Sequence, residues 1–94
     1  MIAVFVEFDA VDGAIARKIA DEFRGLFEGM PGLRWKFFTV DEAGSRARNV
    51  YVWRSEEAAR QFFSDEMIEK IAGTYGVRPT IDYAERVGVV DNAD

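Results

Sequence analysis

Three side chains that can hold an aromatic molecule by hydrogen bonds alternate along one stretch of the sequence, Asn49, Tyr51 and Trp53. In a regular β-strand they share one face, and Val50 and Val52 lie on the other. An amide, a phenol and an indole side by side could orient an electron-rich ring and stabilise an oxyanion or a bound peroxide. The alternative is that the amide serves a turn and that both rings fill the core.

Three further residues are candidates for this site, Glu7, Trp35 and Lys36. Glu7 shares a strand face with Phe5, and apolar neighbours can raise the pKa of a carboxyl group until it suits a general base. Trp35 and Lys36 are adjacent, so only one of them faces the helices, and a lysine there could stabilise a phenolate. The commoner explanations are a glutamate that reaches water or an arginine, and a lysine whose ammonium group reaches water.

Four phenylalanines recur at helical spacing, which is typical of residues that fill a core. They are Phe23, Phe27, Phe62 and Phe63. Phe62 follows the Asn49–Trp53 stretch closely and is also a candidate for the wall of a substrate pocket.

The composition excludes several classes of function. The net charge is -5 and the basic residues are scattered, so neither nucleic acid nor an anionic membrane is an expected partner. The chain has no Cys and no His, which removes thiolate chemistry and the commonest metal and heme ligands. Neither a phosphate-binding glycine loop nor a carboxylate cluster is present, so no nucleotide or metal cofactor is expected. Without a signal peptide or a membrane-spanning segment, a cytoplasmic protein is expected.

The order of apolar patterns and turn residues predicts six elements. They are a strand at Ile2–Phe8, a helix capped by Asp12 that ends near Gly29, strands at Leu33–Val40 and Asn49–Trp53, a helix capped by Ser55, and a strand from about Val77 to Val87. The second helix is expected to kink or to divide at Ser64, which can cap a new helix. Pro79 predicts an edge position or a bulge for the last strand.

This order predicts a single domain over residues 1–94 with an α+β fold, a ferredoxin-like βαββαβ sandwich in which both helices cover one face of an antiparallel sheet. The other face would then expose large apolar side chains. A second copy of the same sheet would cover them, so the sequence predicts a homodimer joined sheet to sheet.

Two short motifs resemble a known group of proteins. Trp53-x-Ser55-Glu56-Glu57-Ala58 at a strand-to-helix junction resembles the signature of the dimeric α+β-barrel superfamily, which contains the antibiotic-biosynthesis monooxygenases. Pro31-Gly32-x-x-Trp35-Lys36 is most similar to the YdhR-like members. The resemblance implies that Asn49 and Trp53 hold a phenolic substrate and its oxygen adduct. Phe62 and Met67 stand where heme degraders carry His, so heme binding is not expected.

The leading functional hypothesis is a cofactor-independent monooxygenase that oxidises a small phenol or hydroquinone in a pocket between sheet and helices. Asn49 and Trp53 would act on the substrate with Glu7 or solvent as the base, and Tyr51, Trp35, Lys36 and Phe62 would bind it. Two alternatives remain open. One is a non-catalytic module that binds a small apolar or aromatic ligand or a partner, and the other is an isomerase or lyase on the same scaffold.

Overall fold

The computed structural model describes residues 1–92 and contains four strands and three helices within that range. In chain order these are β1 (Ile2–Phe8), α1 (Gly13–Phe27), β2 (Leu33–Val40), β3 (Ala47–Trp53), α2 (Glu56–Phe62), α3 (Asp65–Tyr75) and β4 (Thr80–Glu85). The predicted order is confirmed, and the predicted second helix is two helices, α2 and α3. None of the helices in residues 1–92 is long and apolar enough to cross a membrane.

Side-chain caps set where the helices begin. The Asp12 carboxylate accepts a hydrogen bond from the Ala14 amide at 2.9 Å, and the Ser64 hydroxyl accepts one from the Met67 amide at 3.2 Å. Ser55 caps α2 in the same way. Each cap satisfies an amide that has no partner inside its helix. The Ser64 cap explains the break between α2 and α3, because the chain must leave helical geometry to make it.

All strand pairs are antiparallel, and the strand order is β2-β3-β1-β4. This order and the helices on one side give the ferredoxin-like α+β fold that the sequence predicts. β4 lies at the edge of the sheet, as Pro79 predicts, but it covers only Thr80–Glu85 rather than the longer range expected. Because Pro79 has no amide hydrogen to donate, pairing begins after it.

Because side chains alternate along each strand, the two faces of the sheet carry different sets of residues. On the face that the helices cover, Val4, Val6, Phe8, Tyr51 and Trp53 are buried in the core with residues of α1 and α2. On the opposite face, apolar residues of neighbouring strands form rows across the sheet. We call this surface the open sheet face and define it by Ala3, Phe5, Trp35, Phe37, Val50 and Val52.

The phenylalanines expected in the core do not all lie there. Phe63 is buried, whereas Phe27 and Phe62 are partly exposed. Phe23 is 37% exposed, so its assignment to the core is wrong. The reason is that α1 and α3 leave a space between them above the sheet, and Phe23 borders that space.

Candidate functional site

The space between α1, α3 and the sheet is an apolar cavity of about 690 Å³. Its wall includes Phe27, Phe38, Tyr51, Phe62, Lys36 and Tyr75, and we call it the aromatic cavity. Phe23 and Leu26 of α1 line it and are themselves exposed, so part of its mouth lies along that helix. A mostly apolar cavity with a few polar groups is the usual form of a small-molecule site.

Tyr51 lies at the centre of the cavity's aromatic wall. It is 3% exposed, and its ring contacts those of Phe27 and Phe62 at centroid distances of 5.9 and 5.8 Å. Burial raises the pKa of the Tyr51 phenol, and the nearby Tyr75 raises it further. The phenol therefore stays protonated and can donate a hydrogen bond at any physiological pH.

Lys36 is a charged side chain in contact with the Tyr51 ring. Its Nζ lies 3.6 Å from the centroid of the Tyr51 ring, 4.4 Å from that of Phe27 and 4.3 Å from that of Phe38. Within residues 1–92 no carboxylate forms an ion pair with it. Burial lowers the pKa of Lys36 to about 6, because it removes water from around the ammonium group.

Asn49 lies farther along β3 and is 3% exposed. Its Nδ2 donates a hydrogen bond to the Tyr75 hydroxyl at 2.9 Å. Both residues line a second cavity of about 330 Å³, and Tyr75 also lines the aromatic cavity. The Tyr75 ring is therefore the wall between the two spaces, and the Asn49 amide holds its hydroxyl in place.

Tyr75 is the residue of this site that the sequence analysis missed. Its ring stacks on Phe8 at 3.9 Å between centroids, which fixes the end of α3 against the sheet. Burial raises the pKa of its phenol, although the hydrogen bond from Asn49 acts in the opposite direction. The available signal was its position on the apolar stripe of α3, four residues after Ile71.

Trp53 occupies the core instead of a cavity wall. It is 2% exposed, stacks on Tyr51 at 6.1 Å and contacts Phe62 at 5.1 Å. Its buried Nε1 has no hydrogen-bond partner among the described residues. The Cα atoms of Asn49 and Trp53 are roughly 13 Å apart along the strand. The two residues therefore flank Tyr51 and do not converge on a single point.

Glu7 and Trp35 lie on the far side of the sheet from the aromatic cavity. Strand alternation directs them there, because their neighbours Val6 and Lys36 face the helices. The Glu7 carboxylate pairs with the Arg48 guanidinium at 2.7 Å. The structure thus brings together Lys36, Tyr51 and Phe62 around one cavity and Asn49 at the adjoining one, while Glu7 and Trp35 are apart from both.

Potential metal ligands are not grouped within residues 1–92, where no three His, Cys, Asp or Glu side chains are arranged to hold an ion.

The family described as "Putative mono-oxygenase ydhR" matches residues 2–83. The chain belongs to this family. The resemblance to YdhR-like proteins that the sequence motifs indicate is therefore confirmed. No curated protein matches this ydhR family member in sequence.

Solved structures with the same fold include several monooxygenases. The ActVA-Orf6 monooxygenase of Streptomyces coelicolor, in complex with nanaomycin D, is 18% identical with a TM-score of 0.72, over 98% of this chain and 92% of that one. A variant of SnoaB, a cofactor-independent oxygenase from Streptomyces nogalater, is 11% identical with a TM-score of 0.69, over 97% of this chain and 98% of that one. The NE2512 protein of unknown function from Nitrosomonas europaea is 18% identical with a TM-score of 0.72, over 99% of this chain and 95% of that one. At these identities the likeness of the ydhR family member to them is one of fold.

Proposed function

We propose that this ydhR family member is a cofactor-independent monooxygenase that oxidises a small phenol or hydroquinone in the aromatic cavity. The observation that carries the proposal is the cavity itself, an apolar space of about 690 Å³ whose wall includes the buried phenol of Tyr51, the partly buried phenol of Tyr75 and an amine. Aromatic walls favour a flat apolar ring, and the polar groups can bind its oxygen. Membership of a family described as mono-oxygenases supports the reaction class.

The proposed reaction needs no external reductant. A phenol with a free para position loses its O–H proton, and the phenolate passes one electron to dioxygen. The phenoxyl radical and superoxide combine at the ring carbon, and the resulting peroxide loses water to leave a quinone. One oxygen atom of dioxygen enters the ring and the other leaves as water, so phenol plus dioxygen balances quinone plus water. A hydroquinone reacts in the same way at another free ring carbon, and hydroquinone plus dioxygen balances hydroxyquinone plus water.

The roles of the residues follow from their positions. The Tyr51 phenol can donate to the substrate oxygen from within the cavity wall. The amide of Asn49 and the hydroxyl of Tyr75 would hold the oxygen adduct where the two cavities adjoin. Trp53 acts by supporting the Tyr51 ring from within the core. Glu7 has no part in this scheme, because the sheet separates it from the cavity.

Oxygen consumption tests the proposal. Purified protein treated with a chelator is mixed with a panel of hydroquinones and naphthols, and dissolved oxygen and quinone absorbance are followed together. We expect quinone formation with one molecule of oxygen consumed per quinone made from a phenol. Removal of one donor by Tyr51→Phe should lower the rate about 10- to 100-fold.

A matched control is Tyr83→Phe, since Tyr83 packs on Phe63 outside the aromatic cavity. This variant should keep the wild-type rate. No oxygen uptake across the panel, with saturable binding of the same compounds, would favour the non-catalytic binding module. Turnover that continues under nitrogen would favour an isomerase or lyase.

We also propose that the protein is a homodimer joined through the open sheet face. Phe37, Val50 and Phe5 are paired across three adjacent strands and form one apolar row, and Phe37 is 53% exposed. The next row of the sheet is polar and contains the Glu7–Arg48 ion pair. An apolar centre beside a polar border is typical of a protein interface, and a second copy offers the same flat surface.

A further inference from the structure

Lys36 lies between two different spaces. On one side is the aromatic cavity, and on the other is an open groove of about 520 Å³ between α1 and β2. The groove is lined by charged residues at the end of α1, including Asp21, Arg24 and Glu28. Among residues 1–92, Lys36 is the one charged side chain that lines both spaces. It therefore connects an apolar binding space with a surface from which protons can be exchanged.

The position of Lys36 is costly for a purely structural role. An ammonium group packed against the rings of Phe27, Phe38 and Tyr51 loses much of its water and gains no carboxylate partner among residues 1–92. An apolar side chain of the same length would pack there without this penalty. A partly buried and unpaired ionisable group at a cavity is a feature that functional sites keep at the expense of stability.

We propose that Lys36 accepts the proton of a weakly acidic, apolar ligand of the phenol class in the aromatic cavity, and that the ammonium and the phenolate then remain as an ion pair. The ligand's O–H bond breaks and an N–H bond forms at Nζ, with no electron transferred. This inference rests on the proposed function, which identifies the aromatic cavity as the substrate site. It assigns to Lys36 the role of general base, which Glu7 cannot fill because it lies on the other side of the sheet.

Ligand binding removes the obstacle to charging Lys36. In the empty cavity the ammonium has only ring faces as partners, whereas beside a phenolate it gains a full opposite charge at short range. The attraction of the three rings for a cation then adds to the ion pair. The phenolate formed in this way is the electron-rich species that can reduce dioxygen.

Other titratable groups also lie around the cavity and the groove. Burial lowers the pKa of Lys36 to about 6, so its amine is uncharged at pH 7. Burial raises the pKa of both Tyr51 and Tyr75, so these phenols stay neutral. Lys70 of α3 lies at the cavity with a 67% exposed side chain and pairs with Glu66. On the other side of Lys36, the groove is lined by three charged residues at the end of α1, Asp21, Arg24 and Glu28.

The experiment measures ionisation of a bound phenol without turnover. 4-Cyanophenol, which is mostly un-ionised in water at pH 7, is titrated with protein under nitrogen, and its ultraviolet spectrum reports the phenolate. Net proton release is followed with an indicator dye in weak buffer. For wild type we expect the phenolate spectrum with almost no proton released, because Lys36 keeps the proton. The ionisation midpoint of the bound probe should fall by about one pH unit or more.

Three variants separate the possible causes. Lys36→Met should bind the probe as the neutral phenol, and Lys36→Arg should bind it as phenolate while releasing about one proton per site, because arginine is already charged. Lys18→Met is the matched control, since Lys18 lies on the solvent side of α1 with a 75% exposed side chain, and it should behave as wild type. Circular dichroism of each variant verifies folding.

The proposal is overturned if wild type binds the probe as phenol or not at all, or if Lys36→Met gives the same phenolate fraction as wild type. Because the titration excludes oxygen, its result is separate from that of the oxygen assay. Ionisation at Lys36 without any oxygen uptake would contradict the proposed monooxygenase and leave Lys36 as the proton acceptor. Oxygen uptake without ionisation at Lys36 would contradict Lys36 as the proton acceptor and would leave the proposed monooxygenase in place.

Discussion

At the scale of single residues, Lys36 makes the stability of the protein depend on pH. Burial lowers its pKa in the folded chain from 10.5 to about 6. Between these values the unfolded chain binds more protons than the folded one, so the free energy of unfolding rises with pH through this window. The destabilising contribution of Lys36 is therefore complete below pH 6 and disappears above about pH 10.5.

Lys36→Met should consequently stabilise the protein at pH 7, by about 2–4 kcal/mol. The difference from wild type should narrow steadily as the pH is raised from 6 to 10. Urea denaturation at a fixed protein concentration, repeated across this range, measures it. Lys18→Met should show no such trend, and a pH-independent gap for Lys36→Met would mean that the amine is charged in the folded state.

The hydrogen bond between Asn49 and Tyr75 couples β3 to the end of α3. Asn49→Ala and Tyr75→Phe should each lower the free energy of unfolding by about 1–2 kcal/mol, because each leaves a buried polar group unpaired. In the double variant the losses should fall short of their sum by about 1 kcal/mol. A double-mutant cycle by chemical denaturation measures this coupling, and strict additivity would show that the bond contributes nothing.

Strand alternation was enough to predict that Asn49, Tyr51 and Trp53 share a face, since the period of a strand is fixed. The partner of Asn49 was beyond reach, because Tyr75 comes from a helix 26 residues later and meets it only through tertiary packing. The same holds for Trp53, which Phe62 and Phe63 enclose within the core. Contacts of this kind depend on how α2 and α3 pack against the sheet, which local patterns do not determine.

At the scale of secondary-structure elements, the loop between β2 and β3 fixes the beginning of α1. The Gly13 amide donates to the Gly44 carbonyl at 2.8 Å, and the Val11 amide donates to the Ser45 carbonyl at 2.9 Å. The Asp41 carboxylate holds the loop by accepting from the amides of Ser45 and Arg46, and these bonds lower the pKa of Asp41. The loop thus helps to position the helix that forms one side of the aromatic cavity.

Gly13→Ala tests this contact between the loop and α1. A Cβ at Gly13 would lie 2.6 Å from the Gly44 carbonyl oxygen, so the backbone would have to move apart. We expect a loss of about 1–3 kcal/mol, although alanine is the better helix former. Gly25→Ala in the same helix is the control, because nothing lies within 4 Å of its Cβ, and it should gain about 0.5–1 kcal/mol. Equal effects at both glycines would refute the contact.

Element boundaries were predictable where a side chain caps a helix. Asp12, Ser55 and Ser64 each accept an amide hydrogen at the predicted position, so the starts of all three helices follow from the sequence. The last strand was predicted too long, because Val77 to Val87 is apolar in places but only Thr80–Glu85 finds a partner in β1. Pairing of an edge strand is decided by its neighbour and not by its own composition.

At the scale of the whole molecule, the two faces of the sheet separate assembly from chemistry. The helix-covered face carries the aromatic cavity, and the open sheet face carries exposed Phe37 with its apolar row. In a dimer through the open face, each cavity stays on the outside and remains accessible from its own mouth. The partner subunit would then stabilise the protein but would contribute no residue to the cavity.

Phe37→Glu is expected to disrupt this dimer. Two copies would each bring a carboxylate into the centre of an apolar interface, which costs several kcal/mol without a partner for the charge. The position is 53% exposed in the single chain, so the fold itself should tolerate the change. Light scattering coupled to size exclusion should show a dimer for wild type and a monomer for the variant. Leu26→Glu, at a 64% exposed position on α1, should remain dimeric. A wild-type monomer in dilute solution would contradict the sheet-to-sheet interface, and a Phe37→Glu variant that stays dimeric would locate the interface on another surface.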